Sequence, residues 1–319
     1  MPLSVYKLGM EQIRSALVVG AGAVGLAVAS IIGARKPGAA AILADGERLE
    51  RYRREGFVVN GRPADFPFVP ANQPPRPGEE PDLVIVAVKC HHLERAIEDM
   101  RAFVGPSTLV LSLLNGISSE DDLAAAFGRE KVPYAMILGI DAVREGNSTT
   151  FSAAGKIHFG DARNERGAWS DRVARIASFF DRTGVGYVVP EDMIRSMWYK
   201  LMINVGINQA SAVLRASYGL FQRSAEAWHA MESAMRELVS ISRELGTGLA
   251  ESDLESWRAT LMSLSPGAKT SMLQDVEAGR KTEVEAFAGK VIELGEATGV
   301  PTPVNRLLFD LIKAMEQPA

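Results

Sequence analysis

The sequence predicts an α/β protein with a doubly wound parallel sheet in its N-terminal part and an all-helical C-terminal domain. Three observations carry this reading. Short apolar runs alternate with helical stretches up to about residue 190, the pattern of a parallel sheet covered on both faces. A glycine cluster, Gly20 to Gly25, follows the first of those runs. Beyond Pro190 the β pattern fades and helical periodicity takes over. The chain has 319 residues, and at roughly 100 to 200 residues per domain it accommodates two, assigned here as 1–190 and 191–319.

In chain order, a short N-terminal arm leads to an apolar strand, Ala16 to Val19, and a helix from Val24 to Arg35. Ala40 to Leu43 is a second strand, and the charged stretch Glu47 to Glu55 reads as a solvated helix that closes the first βαβ unit. Pro63 to Pro81 is proline-rich and is expected to be irregular. Leu83 to Val88 (LVIVAV) is apolar throughout, as strands buried on both faces are. A helix from His91 to Phe103 and strands at Thr108 to Leu113, Val132 to Ile140, Lys156 to Phe159 and Gly186 to Val189 follow, with a helix at Asp171 to Phe180. The second half predicts helices at Met193–Leu214, Ala225–Leu245, Asp253–Leu264, Thr270–Ala278 and Glu283–Thr298.

Composition narrows the function classes. Lys plus Arg is 35 against 39 Asp plus Glu, a net charge of −4, which lacks the basic excess of a nucleic-acid binder. The single cysteine, Cys90, cannot form an intrachain disulfide, and no Cys/His cluster offers a zinc site. A cytoplasmic location is the default expectation. The uncharged 20-residue run Ser15 to Ala34 has the length of a membrane span, but its four glycines suit a strand, turn and helix better. No membrane or metal is therefore expected. Cys90 is expected to be a small buried thiol, with His91 and His92 on the surface. Helix faces rich in Met and Leu near the C-terminus would serve a homodimer interface as well as a core.

The segment Gly20-Ala21-Gly22-Ala23-Val24-Gly25 fits G-x-G-x-x-G directly after a strand and opening a helix. The first glycine permits the tight turn, the second admits a pyrophosphate close to the backbone, and the third lets helix and strand pack. The fold is then Rossmann-type and the cofactor a dinucleotide. Asp45, 20 residues after Gly25 at the end of the second strand, is placed to hydrogen-bond the adenosine ribose hydroxyls. It would repel a 2′-phosphate, favouring NAD(H) unless Arg48 reaches in to hold the phosphate. The alternative role for Asp45 is a cap for the helix that follows.

Further on, Lys200, Asn204 and Asn208 are spaced i, i+4, i+8, one polar stripe on a helix whose other residues include Met197, Leu201, Ile203 and Ile207. One lysine and two amides among aliphatics suit a site that orients a small polar ligand, although an exposed stripe on an amphipathic helix is the plainer alternative. A positioned ammonium can stabilise negative charge that develops on a ligand oxygen and give it a proton. Lys89 and Asn115 lie just past the carboxyl ends of apolar strands, where open α/β sheets bind ligands. Thr282-Glu283-Val284-Glu285 also fits a capping box, and Ser271 a helix cap.

These motifs (the glycine turn, Val88-Lys89, Asn115-Gly116, Trp198-Tyr-Lys200-Leu-Met-Ile-Asn204-Val-Gly-Ile-Asn208, Ser271-Met-Leu-Gln-Asp275 and Thr282-Glu283) make the chain resemble the ketopantoate reductase (2-dehydropantoate 2-reductase) family. The resemblance covers nearly everything beyond the first 14 residues. It implies hydride transfer from NAD(P)H to C2 of ketopantoate, with Lys200 as proton donor and Asn204, Asn208 and Ser271 on the substrate. It further implies Glu283 near the nicotinamide ribose and substrate, Lys89 and Ala142 on the cofactor, and Asn115 on both. The active site is expected in the cleft between the domains, with closure between them. Three positions depart from the pattern. Asp45 stands where an arginine for the NADPH phosphate is common, Tyr218 where an asparagine would meet the substrate, and Ala268 in place of another before Ser271. Those losses of amides keep open an NAD-dependent D-2-hydroxyacid dehydrogenase of the mandelate type, acting on a more apolar 2-oxo acid. A non-catalytic dinucleotide sensor is the alternative of another class.

Overall fold

The computed structural model describes residues 12–317, so that most of the predicted N-terminal arm, residues 1–11, lies outside the described residues. The chain forms two compact units that divide between Met193 and Ile194.

In the N-terminal unit, β1 (Ala16–Val19), α1 (Ala23–Arg35), β2 (Ala40–Ala44) and α2 (Gly46–Glu55) form the first βαβ pattern. Then come β3 (Phe57–Val59), β4 (Arg62–Ala64), β5 (Phe68–Pro70), β6 (Leu83–Val86), α3 (Leu93–Met100), β7 (Leu109–Ser112) and α4 (Ser119–Phe127). The unit ends with β8 (Tyr134–Ile140), β9 (Val143–Glu145), β10 (Ser148–Thr150), β11 (Ala154–Gly160), α5 (Asp171–Thr183) and β12 (Tyr187–Val188). Its main sheet has the order β5-β2-β1-β6-β7 and is parallel throughout. Alternation along each strand sends residues to opposite faces. Val18, Ile42, Ile85 and Leu111 pack with Leu26 and Ile32 of α1 and Ile176 and Phe180 of α5. Val19, Val84, Val86 and Val110 pack on the other face with Leu93 and Met100 of α3 and Leu123 of α4. Both faces are thus covered, which is why these strands read as continuous apolar runs.

Several details differ from expectation. The proline-rich stretch is not wholly irregular. It contains β4 and β5; β5 joins the edge of the main sheet, while β4 pairs with β3 in a four-stranded sheet with the β9–β10 hairpin. Pro70 and Pro63 are tolerated there because edge and end positions need fewer ladder donors. The helix predicted over His91 to Phe103 is α3 flanked by two 3₁₀ turns, Cys90–His92 and Arg101–Phe103. Cys90, in the first of these, is half-buried rather than buried, because that turn lies beyond the strand end; His91 and His92 are exposed.

The C-terminal unit contains helices and, among its described residues, no strand. They are α6 (Met193–Ile203), a π turn (Asn204–Asn208), α7 (Gln209–Leu214), α8 (Tyr218–Arg223), α9 (Ala225–Leu245), α10 (Glu251–Ser263), α11 (Ser271–Glu277), α12 (Ala288–Thr298) and α13 (Pro303–Met315). The 21-residue α9 is central, packing against the π turn, α12 and α13. Its Met231, Met235 and Leu238 are fully buried, whereas Leu307 and Leu311, one turn apart on α13, stay exposed. No helix among the described residues is long and apolar enough to cross a membrane; the suspect run Ser15 to Ala34 is β1, the glycine turn and most of α1.

Candidate active site

Parallel pairing puts Leu43, Val19, Val86 and Ser112 in one row at the carboxyl edge of the sheet. The predicted residues follow that row closely: Gly20 one residue after β1, Asp45 one after β2, Lys89 and Asn115 three after β6 and β7. The chain changes direction across the sheet between β1 and β6, the switch point at which such folds bind ligands. Each glycine of the turn has its own reason. Gly20 has φ +106°, and a Cβ there would meet the Ala87 carbonyl oxygen at 2.6 Å. At Gly25 an added Cβ would collide with the Gly20 carbonyl oxygen. A Cβ on Gly22 meets only the Ala87 oxygen at 3.7 Å, ordinary contact, so nothing in the protein's own packing requires glycine there. The space it leaves is what a pyrophosphate above the N-terminus of α1 would occupy, and that helix carries no acidic residue in its first turn. The residues fit a dinucleotide.

Asp45 occupies the N-cap position of α2 but makes no side-chain cap. Its carboxylate instead lies 4.0 Å from Arg95, which binds Asp99 at 2.8 Å. Arg48 donates to the same Asp99 at 3.2 Å. Arg48 and Arg95 are therefore both engaged with Asp99, whose side chain is only 10% exposed.

The loop holding Asn115 is fixed from behind. Ser119 Oγ donates to Glu120 at 3.1 Å, so the Ser112 hydroxyl donates to Ser119 at 2.7 Å, and Ser112 in turn accepts from the Leu114 amide at 3.3 Å. Glu120 is 1% exposed, and burial lifts its carboxyl to about 7. Ala142 follows Asp141, whose carboxylate accepts from the Ser152 and Ala153 amides at 2.9 and 2.8 Å; these bonds and the Ser152 hydroxyl hold its pKa below the usual value. Two residues on, Arg144 donates to the Ala21 carbonyl in the glycine turn and lies over the rings of Tyr52 and Phe57. Nothing in the sequence pointed to Arg144, because its partner is 123 residues away.

In the C-terminal unit, Lys200 sits in the last turn of α6 and the asparagines frame the π turn, with Asn208 Nδ2 donating to Asn204 Oδ1 at 3.4 Å. The uninterrupted helix predicted over Met193 to Leu214 is thus broken by a π turn. Lys200 and Asn204 are half-buried and Asn208 is 6% exposed, which sets aside an exposed stripe. The Asn208 carbonyl accepts from Ser211 Oγ at 3.0 Å, and because that proton is used, Thr270 donates to Ser211 at 2.5 Å. Thr270 is also the cap of α11, accepting from the Leu273 amide at 3.1 Å. Ser271 is the first residue of that helix and is exposed, so the capping role expected of it belongs to Thr270.

The capping box expected at Thr282 is absent. The Thr282 amide and hydroxyl donate instead to Glu316, just past the end of α13, at 2.8 and 2.7 Å, and Glu285 pairs with Lys313. The helix accordingly begins with a 3₁₀ turn, Val284–Ala286, and α12 starts at Ala288. Glu283 precedes that turn and is 3% exposed. Tyr218 and Ala268, the two departures from the amide pattern, are neighbours: the Tyr218 amide donates to the Ala268 carbonyl at 3.1 Å. Burial raises the Tyr218 phenol pKa.

Among the described residues no group of His, Cys, Asp and Glu is arranged to hold a metal ion. Models of the ketopantoate reductase PanE/ApbA family match residues 16–164, and of its C-terminal domain residues 192–316. A 2-dehydropantoate 2-reductase of Pyrococcus horikoshii is 27% identical over 303 residues, 94% of this chain and 96% of that one. Another, from Pyrobaculum aerophilum, is 30% identical over 234 residues, 73% of this chain and 76% of its own. Among solved structures, the ternary structure of D-mandelate dehydrogenase with NADH and anilino(oxo)acetate is similar with a TM-score of 0.83 at 20% identity, covering 94% of this chain and 98% of that one, a likeness of fold. The two model matches together span most of the chain, and the protein belongs to the ketopantoate reductase PanE/ApbA family of oxidoreductases.

Proposed function

We propose that the protein reduces a 2-oxo acid with a reduced nicotinamide dinucleotide, ketopantoate to pantoate being the leading reaction. The observation that carries this is the line of Lys200, Asn204 and Asn208 among buried aliphatics, in a chain of this family. Gly20 to Gly25 hold the pyrophosphate, Asp45 the adenosine ribose, and Lys89, Asn115 and Ala142 line the rest of the cofactor. The bound dinucleotide supplies the hydride. Lys200 stabilises the developing oxyanion and gives it a proton from Nζ. Asn115, Asn204, Asn208 and Ser271 orient the acid, and Glu283 lies beside the nicotinamide ribose and the substrate. With Arg48 and Arg95 both held by Asp99, the reading favours NADH.

Tyr218 beside Ala268 favours a second reading, a mandelate-type D-2-hydroxyacid dehydrogenase. An aromatic and a methyl replace two amides at one place, so the substrate's far end meets an apolar wall and loses two hydrogen bonds. The test is initial rates of NADH and NADPH oxidation with ketopantoate, benzoylformate and 2-oxoisovalerate, in wild type and Asp45→Ala. Turnover highest with ketopantoate, with an NADH preference erased in Asp45→Ala, is expected. Activity confined to the other two acids establishes the second reading, and silence with all three favours a sensor.

A further inference from the structure

A helix that advances about 100° per residue drifts by about 40° with each i to i+4 step, so a straight α-helix would leave Asn208 about 80° around from Lys200. The π turn at Asn204–Asn208 turns less per residue and removes part of that drift, and the two asparagine side chains meet at 3.4 Å. Such a turn persists only where other contacts replace the bonds of the α ladder.

Those contacts are present, and they come from side chains the reaction does not use. The Val205 carbonyl, whose α-helical partner would be the backbone amide of residue 209, accepts from the side-chain amide of Gln209 at 2.6 Å. The same Nε2 donates to Asn305 Oδ1 of α13 at 3.1 Å. Asn305 Nδ2 then donates to the Ala234 carbonyl at 3.0 Å and to Glu237 at 2.7 Å, both on α9. Glu237 also accepts from the Val304 and Asn305 amides at 2.7 and 3.0 Å, which ties the start of α13 to α9. Gln209 and Asn305 are both 0% exposed. On the other side of the turn, Gly206 lets α9 close in: a Cβ there would lie 2.5 Å from the Met235 side chain.

We propose that Gln209 and Asn305 are positioning residues: an amide relay from α9 and α13 holds the π turn in the register that keeps Asn208 in line with Lys200 and Asn204, and so sets the affinity for the 2-oxo acid. This rests on the function proposed above. Removing the relay lets the turn revert towards an α-helix and rotates Asn208 out of line with Lys200, while the dinucleotide contacts of the N-terminal unit are untouched.

The test compares wild type, Gln209→Met, Asn305→Asp and, as a buried control in the same unit, Trp257→Phe. KM for the acid that wild type reduces best, the Kd for NADH by fluorescence, and amide exchange over residues 203–210 are read for each. Gln209→Met and Asn305→Asp are expected to raise KM at least ten-fold, with NADH Kd unchanged and exchange over 203–210 faster. Trp257→Phe is expected to change none of the three. If one variant fails to fold, the other decides. KM unchanged in a folded relay variant, or KM and NADH Kd rising together, overturns the proposal. A silent wild type counts against the reductase reading; unchanged exchange over 203–210 in Gln209→Met counts against the relay, whether or not the enzyme turns over.

Discussion

Replacing Glu120 by glutamine is expected to stabilise the protein at alkaline pH and to matter little in acid. The carboxyl is held at about 7 in the folded protein against an ordinary value of 4.5, with burial as the largest cause. Between those values the folded state keeps a proton that the unfolded chain has lost, so stability falls as pH rises through the window. At 1.36 kcal/mol per pKa unit the full cost of this ionisation is about 3.4 kcal/mol, of which about 2.5 kcal/mol develops between pH 5 and pH 8. Glutamine occupies the same volume; its oxygen can accept from the Ala135 amide, 3.4 Å from the carboxyl oxygen it replaces, while its NH2 donates to Ser119 Oγ on the other side, at the 3.1 Å position. Urea denaturation of wild type and Glu120→Gln at the two pH values measures the effect. The gap between them should widen by about 2.5 kcal/mol in favour of the variant on going from pH 5 to pH 8. A gap that does not change with pH would mean that Glu120 stays ionised in the folded protein, and the argument from burial would fail.

The glycine turn separates packing from ligand contact. Gly25→Ala places a Cβ against the Gly20 carbonyl and should destabilise the N-terminal unit by more than about 3 kcal/mol, seen as a lower melting temperature without any ligand. Gly22→Ala meets only ordinary contact, so its melting temperature should stay within a degree or two of wild type while NADH affinity, read by fluorescence titration, falls at least ten-fold. Lys200→Ala should lower kcat by roughly 10² to 10⁴ with NADH binding intact, the usual contribution of a positioned acid; turnover that survives would remove Lys200 from the chemistry.

The parts of the fold legible in the sequence are those whose signal is local. Buried parallel strands need apolar runs, and Ala16–Val19 and Ala40–Ala44 were readable to within a residue for that reason. The long α9 has a period of its own and a glycine, Gly246, to end it in the left-handed conformation. What failed were elements too short to carry a period. The strands β4, β5, β9 and β10 are three residues each; β4 and β9 are held by hairpin partners, and β5 and β10 by strands distant in sequence, β2 and β3. The amphipathic α13, with Pro303 at its start, is a helix the expectations above do not include, although its periodicity and that proline mark one.

The candidate site divides along the same line. Residues at strand ends or at i, i+4 spacing, such as Gly20, Asp45, Asn115, Lys200 and Asn204, could be named because a motif or a period marks them. The capping box expected at Thr282 does not form because the spacing Thr-x-x-Glu states only that a box can form, and the carboxylate of Glu316, 34 residues later and just past α13, takes both donors. Arg144, Gln209 and Asn305 have no local mark at all. Each acts on a backbone carbonyl or an amide brought near by tertiary packing: Arg144 on Ala21, Asn305 on Gln209 across 96 positions, Gln209 on Val205 only because the helix widens there. The periodicity that revealed the asparagines assumed the regular helix that these residues interrupt. A period can therefore locate the residues that meet a substrate and still miss the ones that hold them in register.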